Sequence, residues 1–371
     1  MKNKQVRWCS FRTKNFSRYV FIVFASCLWY CLSSCVHNSN YYTKADFTKT
    51  PKIDVHIHYN TYNASYLKFA DSLNFRLVSP NVDLIMVDEQ LEGSHYLKQQ
   101  FPDKFAFWGT FSVDNFGKAD FIERTIARID KCMEYGALGI KIWKNIGMVL
   151  KDSAGHFVMA DDPVFEKIFK YMEDQNIPVM AHLGEPKNCW LHEDQMTINS
   201  NRAYYKRHPE YYMYLHPDAP SYQTHINTRD TILSRYSKLR VVGAHLGSLE
   251  WSVDEIAKRF DQFSNFDVDI SARIGHLQFQ SLRDREKVRN FLIKYQYRVL
   301  YGTDMDINDN NSNYQVVTSR IYNKWMKDWL YLATDSIIEI KELNGKKVKG
   351  LQLPRSVIDK IYCKNAERYF K

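Results

Sequence analysis

From residue 52 to the C-terminus, short apolar runs alternate with amphipathic stretches, and no linker or low-complexity tract interrupts the series. Apolar–polar alternation or a short continuous apolar run predicts a strand, whereas apolar residues three and four apart predict a helix. On that basis strands fall at Lys52–Tyr59, Asp83–Val87, Phe105–Phe111, Leu138–Trp143, Ile177–Leu183, Leu239–Leu246, Phe266–Ser271 and Arg298–Asp304. Helices fall at Ala64–Phe75, Ala119–Tyr135, Asp162–Gln175, Ile226–Tyr236, Ser252–Phe263 and Leu282–Tyr295. Strands alternating with helices predict a parallel sheet, and eight of them predict a closed (β/α)8 TIM barrel. An open doubly wound sheet is the rival architecture, but no glycine-rich phosphate loop follows an early strand.

The N-terminus reads as a targeting segment and stands outside the fold. Lys2, Lys4, Arg7, Arg12, Lys14 and Arg18 precede an apolar run, Tyr19–Tyr30, that is short for a membrane span of roughly 20 residues. Leu32-Ser33-Ser34-Cys35 resembles a bacterial lipobox, which implies cleavage after residue 34, lipid on Cys35 and a domain held outside the cytoplasm. An uncleaved signal anchor is the alternative. The expected organisation is a signal peptide over 1–34, a lipidated tether over 35–50 and the barrel over 51–371. Six basic residues and no acid lie in 1–34, so the net charge of +9 falls to +3 without them. No dense basic stripe follows, which argues against a nucleic-acid partner. Past Cys35 the cysteines are Cys132, Cys189 and Cys363, too scattered for a disulfide framework or a zinc knuckle.

Chemistry concentrates where the predicted strands end. In Asp54-Val-His-Ile-His58, His56 and His58 share one strand face, about 6.5 to 7 Å apart along the backbone. Two imidazoles so placed can hold a divalent transition metal. A solvated strand face is the bland reading of an isolated His-x-His. Here Ile53, Val55 and Ile57 make the opposite face wholly β-branched, which implies burial there and a site on the polar side. The fourth strand carries Lys141 and the fifth ends in His182-Leu-Gly-Glu185. The sixth ends in His245-Leu-Gly, the seventh carries Asp269, and the eighth ends in Gly302-Thr-Asp304. Singly, each histidine could be a satisfied core residue and Asp304 a helix cap. Their joint occurrence at the strand ends, where barrel enzymes keep their active sites, is a strong signal.

Asp54-x-His56-x-His58, Ala181-His182-Leu-Gly, Gly243-Ala-His245-Leu-Gly and Tyr301-Gly-Thr-Asp304 resemble the strand motifs of the amidohydrolase superfamily. The similarity is to its amidohydrolase-related (type 2) branch, which includes decarboxylases, and Asn365-Ala366 resembles that branch's C-terminal helix. The resemblance implies a distorted barrel in which His56, His58, His182 and Asp304 ligate one divalent metal, zinc or alternatively manganese. It further implies that His245 sits beside the metal and that Asp304 doubles as proton shuttle. Metal lowers the pKa of bound water to roughly 7, so the expected reaction is attack of metal-bound hydroxide on an ester, lactone or amide carbonyl. A non-oxidative decarboxylase on the same ligands is the alternative, followed by a metal-free lactonase and a non-catalytic surface binding lipoprotein.

Lys141 lies in an apolar strand, where an unpaired ammonium is costly. The resemblance offers a carbamylated metal bridge; contact with a substrate carboxylate or an internal ion pair are the competing roles. A long insertion after the fifth strand, Pro186–Thr224, is rich in rings and reads equally as a lid or a small helical subdomain. Glu185 and Arg273 are candidate substrate contacts. Arg273 suits a carboxylate through its planar fork, with a structural salt bridge as its other reading. The expected partner is a small molecule bearing a carboxylate, the membrane being reached through lipid alone; a homodimer is left open.

Overall fold

The computed structural model describes residues 40–309 and 313–370. The expected signal segment, residues 1–34, and the lipidation site Cys35 lie outside the described residues.

Eight parallel strands form one sheet in the order of the chain. They are β1 (Lys52–Asp54), then, past a short strand β2 (Ile57–Asn60), β3 (Phe75–Pro80), β4 (Phe105–Thr110) and β5 (Ile140–Ile142). The series continues through β6 (Val179–Ala181), β7 (Val241–Gly243), β8 (Phe266–Asp269) and β9 (Val299–Leu300). The first and last strands meet. The Val55 N–H donates to the Tyr301 carbonyl at 3.0 Å, and β2 pairs in parallel with β10 (Met305–Asn308), in register from Ile57 against Met305. This is a (β/α)8 barrel whose first and eighth strands run on, past a break, beyond its C-terminal mouth.

The helices cover the sheet as their spacing dictates. Phe121–Glu134 buries Phe121, Thr125, Ile129 and Cys132, and Val253–Gln262 buries Val253, Ile256 and Phe260, one stripe each. Strands covered on the outside and filled on the inside are apolar on both faces. Ile53, Val55, Val78, Ala106, Trp108, Met180, Val242 and Leu300 form one cluster with Ala366 and Tyr369 of the C-terminal segment. The Asn365 amide donates to the carbonyls of Val299 and Gln296, each at 2.7 Å, at the start of β9.

One expected strand is wrong. Asp83–Val87 is a turn running into a helix, and the second barrel strand is Phe75–Pro80. Asn74 adopts a left-handed conformation (φ 57°), so the helix stops early and the chain turns straight into β3. Leu84, Ile85 and Met86 are exposed, and the turn is held because the Asp83 carboxylate accepts from Val113 N and Asn145 Nδ2. An apolar run without alternation carries no mark of which side it faces. Between β6 and the helix Tyr222–Arg235, the chain forms short helical turns and the helix Asn199–Arg207. This segment packs around Cys189, Met196, Tyr205 and Met213, with Met148. A 20-residue helix, Tyr314–Ala333, and a hairpin of β11 (Ile337–Ile340) with β12 (Lys346–Lys349) follow, and helical turns over 355–367 lead to the end of the described chain. Among the described residues no helix is long and apolar enough to cross a membrane.

Candidate metal centre

His56, His58 and Asp304 converge at the seam between the first and eighth strands. The Nε2 atoms of both histidines lie 3.3 Å from Asp304 Oδ1, and the three ligand atoms fall within 4.8 Å of one another. His245 packs beside this group, its ring centroid 4.7 Å from that of His56, and His182 lies 4.4 Å beyond His245. His182 stands outside the tight trio, and its Nε2 is buried without a hydrogen-bond partner.

Hydrogen bonds on the far side of each ring decide which nitrogen faces the site. A carbonyl oxygen only accepts, so His58 Nδ1–H donates to the Pro80 carbonyl at 3.1 Å and His245 Nδ1–H to the Ser271 carbonyl at 3.0 Å. His56 Nδ1–H donates to Asp269 Oδ2 at 2.9 Å. Each ring therefore turns the lone pair of Nε2 inward, as carboxylate- and carbonyl-backed metal ligands do. Three inward lone pairs, the free Nε2 of His182 and a carboxylate oxygen fit a divalent cation.

Asp269 braces this arrangement. Besides His56, its Oδ1 accepts from the backbone N–H of His245 at 2.9 Å and of Ser271 at 3.0 Å, and from the Ser271 hydroxyl. Burial pushes its carboxyl up, but His56, His245 and Lys141 hold it well below the usual range. Burial likewise raises Asp304, and His245, His58 and His56 outweigh it, so this group also stays ionised. Desolvation drives His182 and His245 well below the ordinary imidazole value, so both are neutral at pH 7.

Lys141 Nζ sits 3.4 Å from His56 Nε2 and makes no ion pair among the described residues. Burial brings its pKa down to about 8. Glu185 is committed elsewhere: its Oε1 takes Lys144 Nζ, which also donates to the Tyr204 hydroxyl at 2.9 Å. Glu185 Oε2 lies 3.9 Å from His182 Nε2 and 3.7 Å from Arg273 Nη2, while Arg273 Nε is buried and unpartnered. Sequence reasoning missed Lys144, Ser271 and the role of Asp54. Only Asp54 left a signal, as the first residue of Asp-x-His-x-His. Its carboxylate accepts from Thr303 N at 3.0 Å, Thr303 Oγ1 at 2.7 Å and Trp325 Nε1 at 2.9 Å, tying the first strand to the eighth.

A barrel with imidazoles and a carboxylate gathered at its C-terminal mouth defines the class of metal-using barrel enzymes. Residues 96–371 match the sequence model of the amidohydrolases, and the chain belongs to that family. It is accordingly a metal-dependent hydrolase. The matched range begins after His56 and His58; the fold brings that pair to Asp304.

No curated protein matches the sequence. Among solved structures, an uncharacterized TIM-barrel protein from Bordetella bronchiseptica superposes with a TM-score of 0.50 at 15% identity, over 86% of this chain and 98% of that one. That likeness supports the barrel. An amidohydrolase from Pseudomonas aeruginosa gives 0.47 at 11% identity, over 89% of this chain and 98% of the other. Dihydroorotase from Saccharomyces cerevisiae, in complex with 5-fluoroorotic acid, gives 0.46 at 12% identity, over 86% and 84%.

Proposed function

We propose that the chain binds one divalent cation, zinc or manganese, at His56, His58, His182 and Asp304, and hydrolyses an ester, lactone or amide of a small carboxylated molecule. The observation that carries this reading is the pair of Nδ1 bonds, His56 to Asp269 and His58 to Pro80, that leaves both Nε2 lone pairs toward Asp304 Oδ1. Bound there, the cation would supply Lewis-acid polarisation and a nucleophile drawn from water at neutral pH.

The chain's own residues supply the rest. Asp304 stays ionised, so its free oxygen takes the proton of the attacking water and returns it to the leaving group. Neutral His245 offers Nε2 to orient the water or the substrate. Arg273, with an unpartnered Nε, holds a substrate carboxylate, and Glu185, braced by Lys144, presents one oxygen beside it. Lys141 contributes its ammonium as a second contact for the anion. Pro186–Thr224 covers this end of the barrel as an insertion after the fifth strand. Residues 1–34 act as an export signal and Cys35 as a lipid anchor, which would hold the enzyme on a bacterial membrane, outside the cytoplasm.

Elemental analysis of the full chain beside His56→Ala tests the metal site. About one zinc or manganese per chain, lost in the variant, is expected. An absence of metal after reconstitution would overturn the reading in favour of a metal-free lactonase or a binding protein. A screen of lactones, esters, amides and aromatic acids then tests the reaction: carbon dioxide released without net hydrolysis would replace hydrolysis by decarboxylation. Intact mass without added carbon dioxide is expected, leaving Lys141 uncarbamylated.

A further inference from the structure

His245 stands on backbone wound the wrong way. Four consecutive residues are left-handed: His245 (φ 59°), Leu246 (φ 59°), Gly247 (φ 59°) and Ser248 (φ 58°), and only one of them is glycine. L-residues adopt this conformation in a row only where surrounding contacts impose it. Those contacts are all present. Buried Arg229 donates through Nη1 to the Gly247 carbonyl, and the Tyr222 hydroxyl donates to the Ser248 carbonyl. The turn also rests on the ring of Phe266, so closely that a Cβ on Gly243 or Gly247 would come within 2.6 Å or 2.7 Å of it.

The same turn reaches sideways to the next ligand loop. Ser248 Oγ lies 2.9 Å from the Gly184 carbonyl and 3.2 Å from the Leu183 carbonyl, the two residues after His182. Arg229 is itself fixed: Asp230 Oδ1 accepts from its Nε and Nη2 at 3.1 Å and 2.6 Å, and Asp230 Oδ2 accepts from Arg259 Nε at 3.1 Å. An ion network between the helices Tyr222–Arg235 and Val253–Gln262, with Arg229 at its buried end, is thus connected, through one strained turn, to both His245 and His182.

We infer that Arg229 and Ser248 are positioning residues of the metal centre, setting where His182 and His245 stand without touching the ion or the substrate. The inference rests on the proposed metal site. Residues that orient ligands in this way typically change metal affinity by roughly 10- to 100-fold when removed.

The test is zinc affinity of the full chain by chelator competition, with the visible absorption of the cobalt-loaded protein reporting ligand geometry. Arg229→Met and Ser248→Ala are each expected to weaken zinc binding about 10- to 100-fold and to alter the cobalt bands. Arg229→Lys, which keeps a donor for the Gly247 carbonyl, should recover most of the loss. Ser248→Ala removes a single oxygen and keeps the test decisive if Arg229→Met does not fold. Variants that melt like wild type and match its zinc affinity and cobalt spectrum would overturn the inference while leaving the metal site standing. Wild-type protein that takes neither ion would instead refute the metal site and this inference with it.

Discussion

The two sides of the histidine cluster are held by different means. His58 occupies β2, where the ladder with β10 sets its direction, and His56 lies in the break just before it, its carbonyl accepting the N–H groups of Thr303 and Asp304. His245 occupies a left-handed turn, whose non-glycine residues each carry a cost of roughly 1–2 kcal/mol. Neither residue of the first pair is left-handed, so it carries no such cost; tertiary contacts hold the turn of His245. Asp304 stands between these cases, a single left-handed residue (φ 61°) of a type that tolerates that conformation, carried on the strand pairing of the first side. Removing a side chain on the strand side should therefore cost chemistry, and disturbing the loop side should cost structure as well.

The largest expected effect falls on the strand side. His56→Ala or Asp304→Asn should abolish metal binding and hydrolysis while far-UV circular dichroism still reports a folded barrel. A variant that keeps wild-type turnover would break the assignment. Next comes the brace beneath that strand. Asp54→Ala strips four buried donors of their acceptor, on His56, Thr303 and Trp325. The expected loss is at least about 3 kcal/mol in urea unfolding.

A pH effect sharpens the loop side. His225 lies against Gly147 and Gly184 in the strand-end loops, and burial lowers its pKa from 6.5 to about 4. Between those values the unfolded chain takes up the proton and the folded chain refuses it, so stability is lost as pH falls through that window. The loss approaches about 3 kcal/mol at the acid end. Urea midpoints measured from pH 7 to 4.5 should fall, and His225→Asn should flatten part of the slope. The smallest effect compares two left-handed glycines. Gly247→Ala drives a Cβ to 2.7 Å from Phe266 Cζ, whereas Gly117→Ala meets nothing within 4 Å. Thermal unfolding should register about 1–3 kcal/mol for the first and about 1 kcal/mol for the second. Equal losses would mean that the turn, not the ring beneath it, sets the cost.

Much of this molecule was legible in its residues. The period-two pattern of Ile53, Val55 and Ile57 marked His56 and His58 as one group, because a strand alternates sides by geometry alone, and the two meet at Asp304 even though the strand breaks at residues 55–56. Alternating elements specified a parallel barrel, and barrels keep polar residues at strand ends, so His182, His245, Asp269 and Asp304 stood out. Where local pattern is mute, the reading failed. Asp83–Val87 is as apolar as a strand and lies on the surface, while Phe75–Pro80, with a proline and an arginine, is buried in the sheet.

The sequence by itself determined most element types and marked residues that meet at the barrel mouth, since periodicity and composition act over neighbouring positions. Tertiary structure alone decided which nitrogen of each ring faces inward, because that depends on Pro80, Asp269 and Ser271, carried by other strands or the loops that follow them. It also decided that Glu185 pairs with Lys144, 41 residues away, and that Arg229 of the preceding helix donates to the Gly247 carbonyl in the left-handed turn of His245. Hydrogen bonds between distant segments leave no period in the chain; only folding brings their donors and acceptors together.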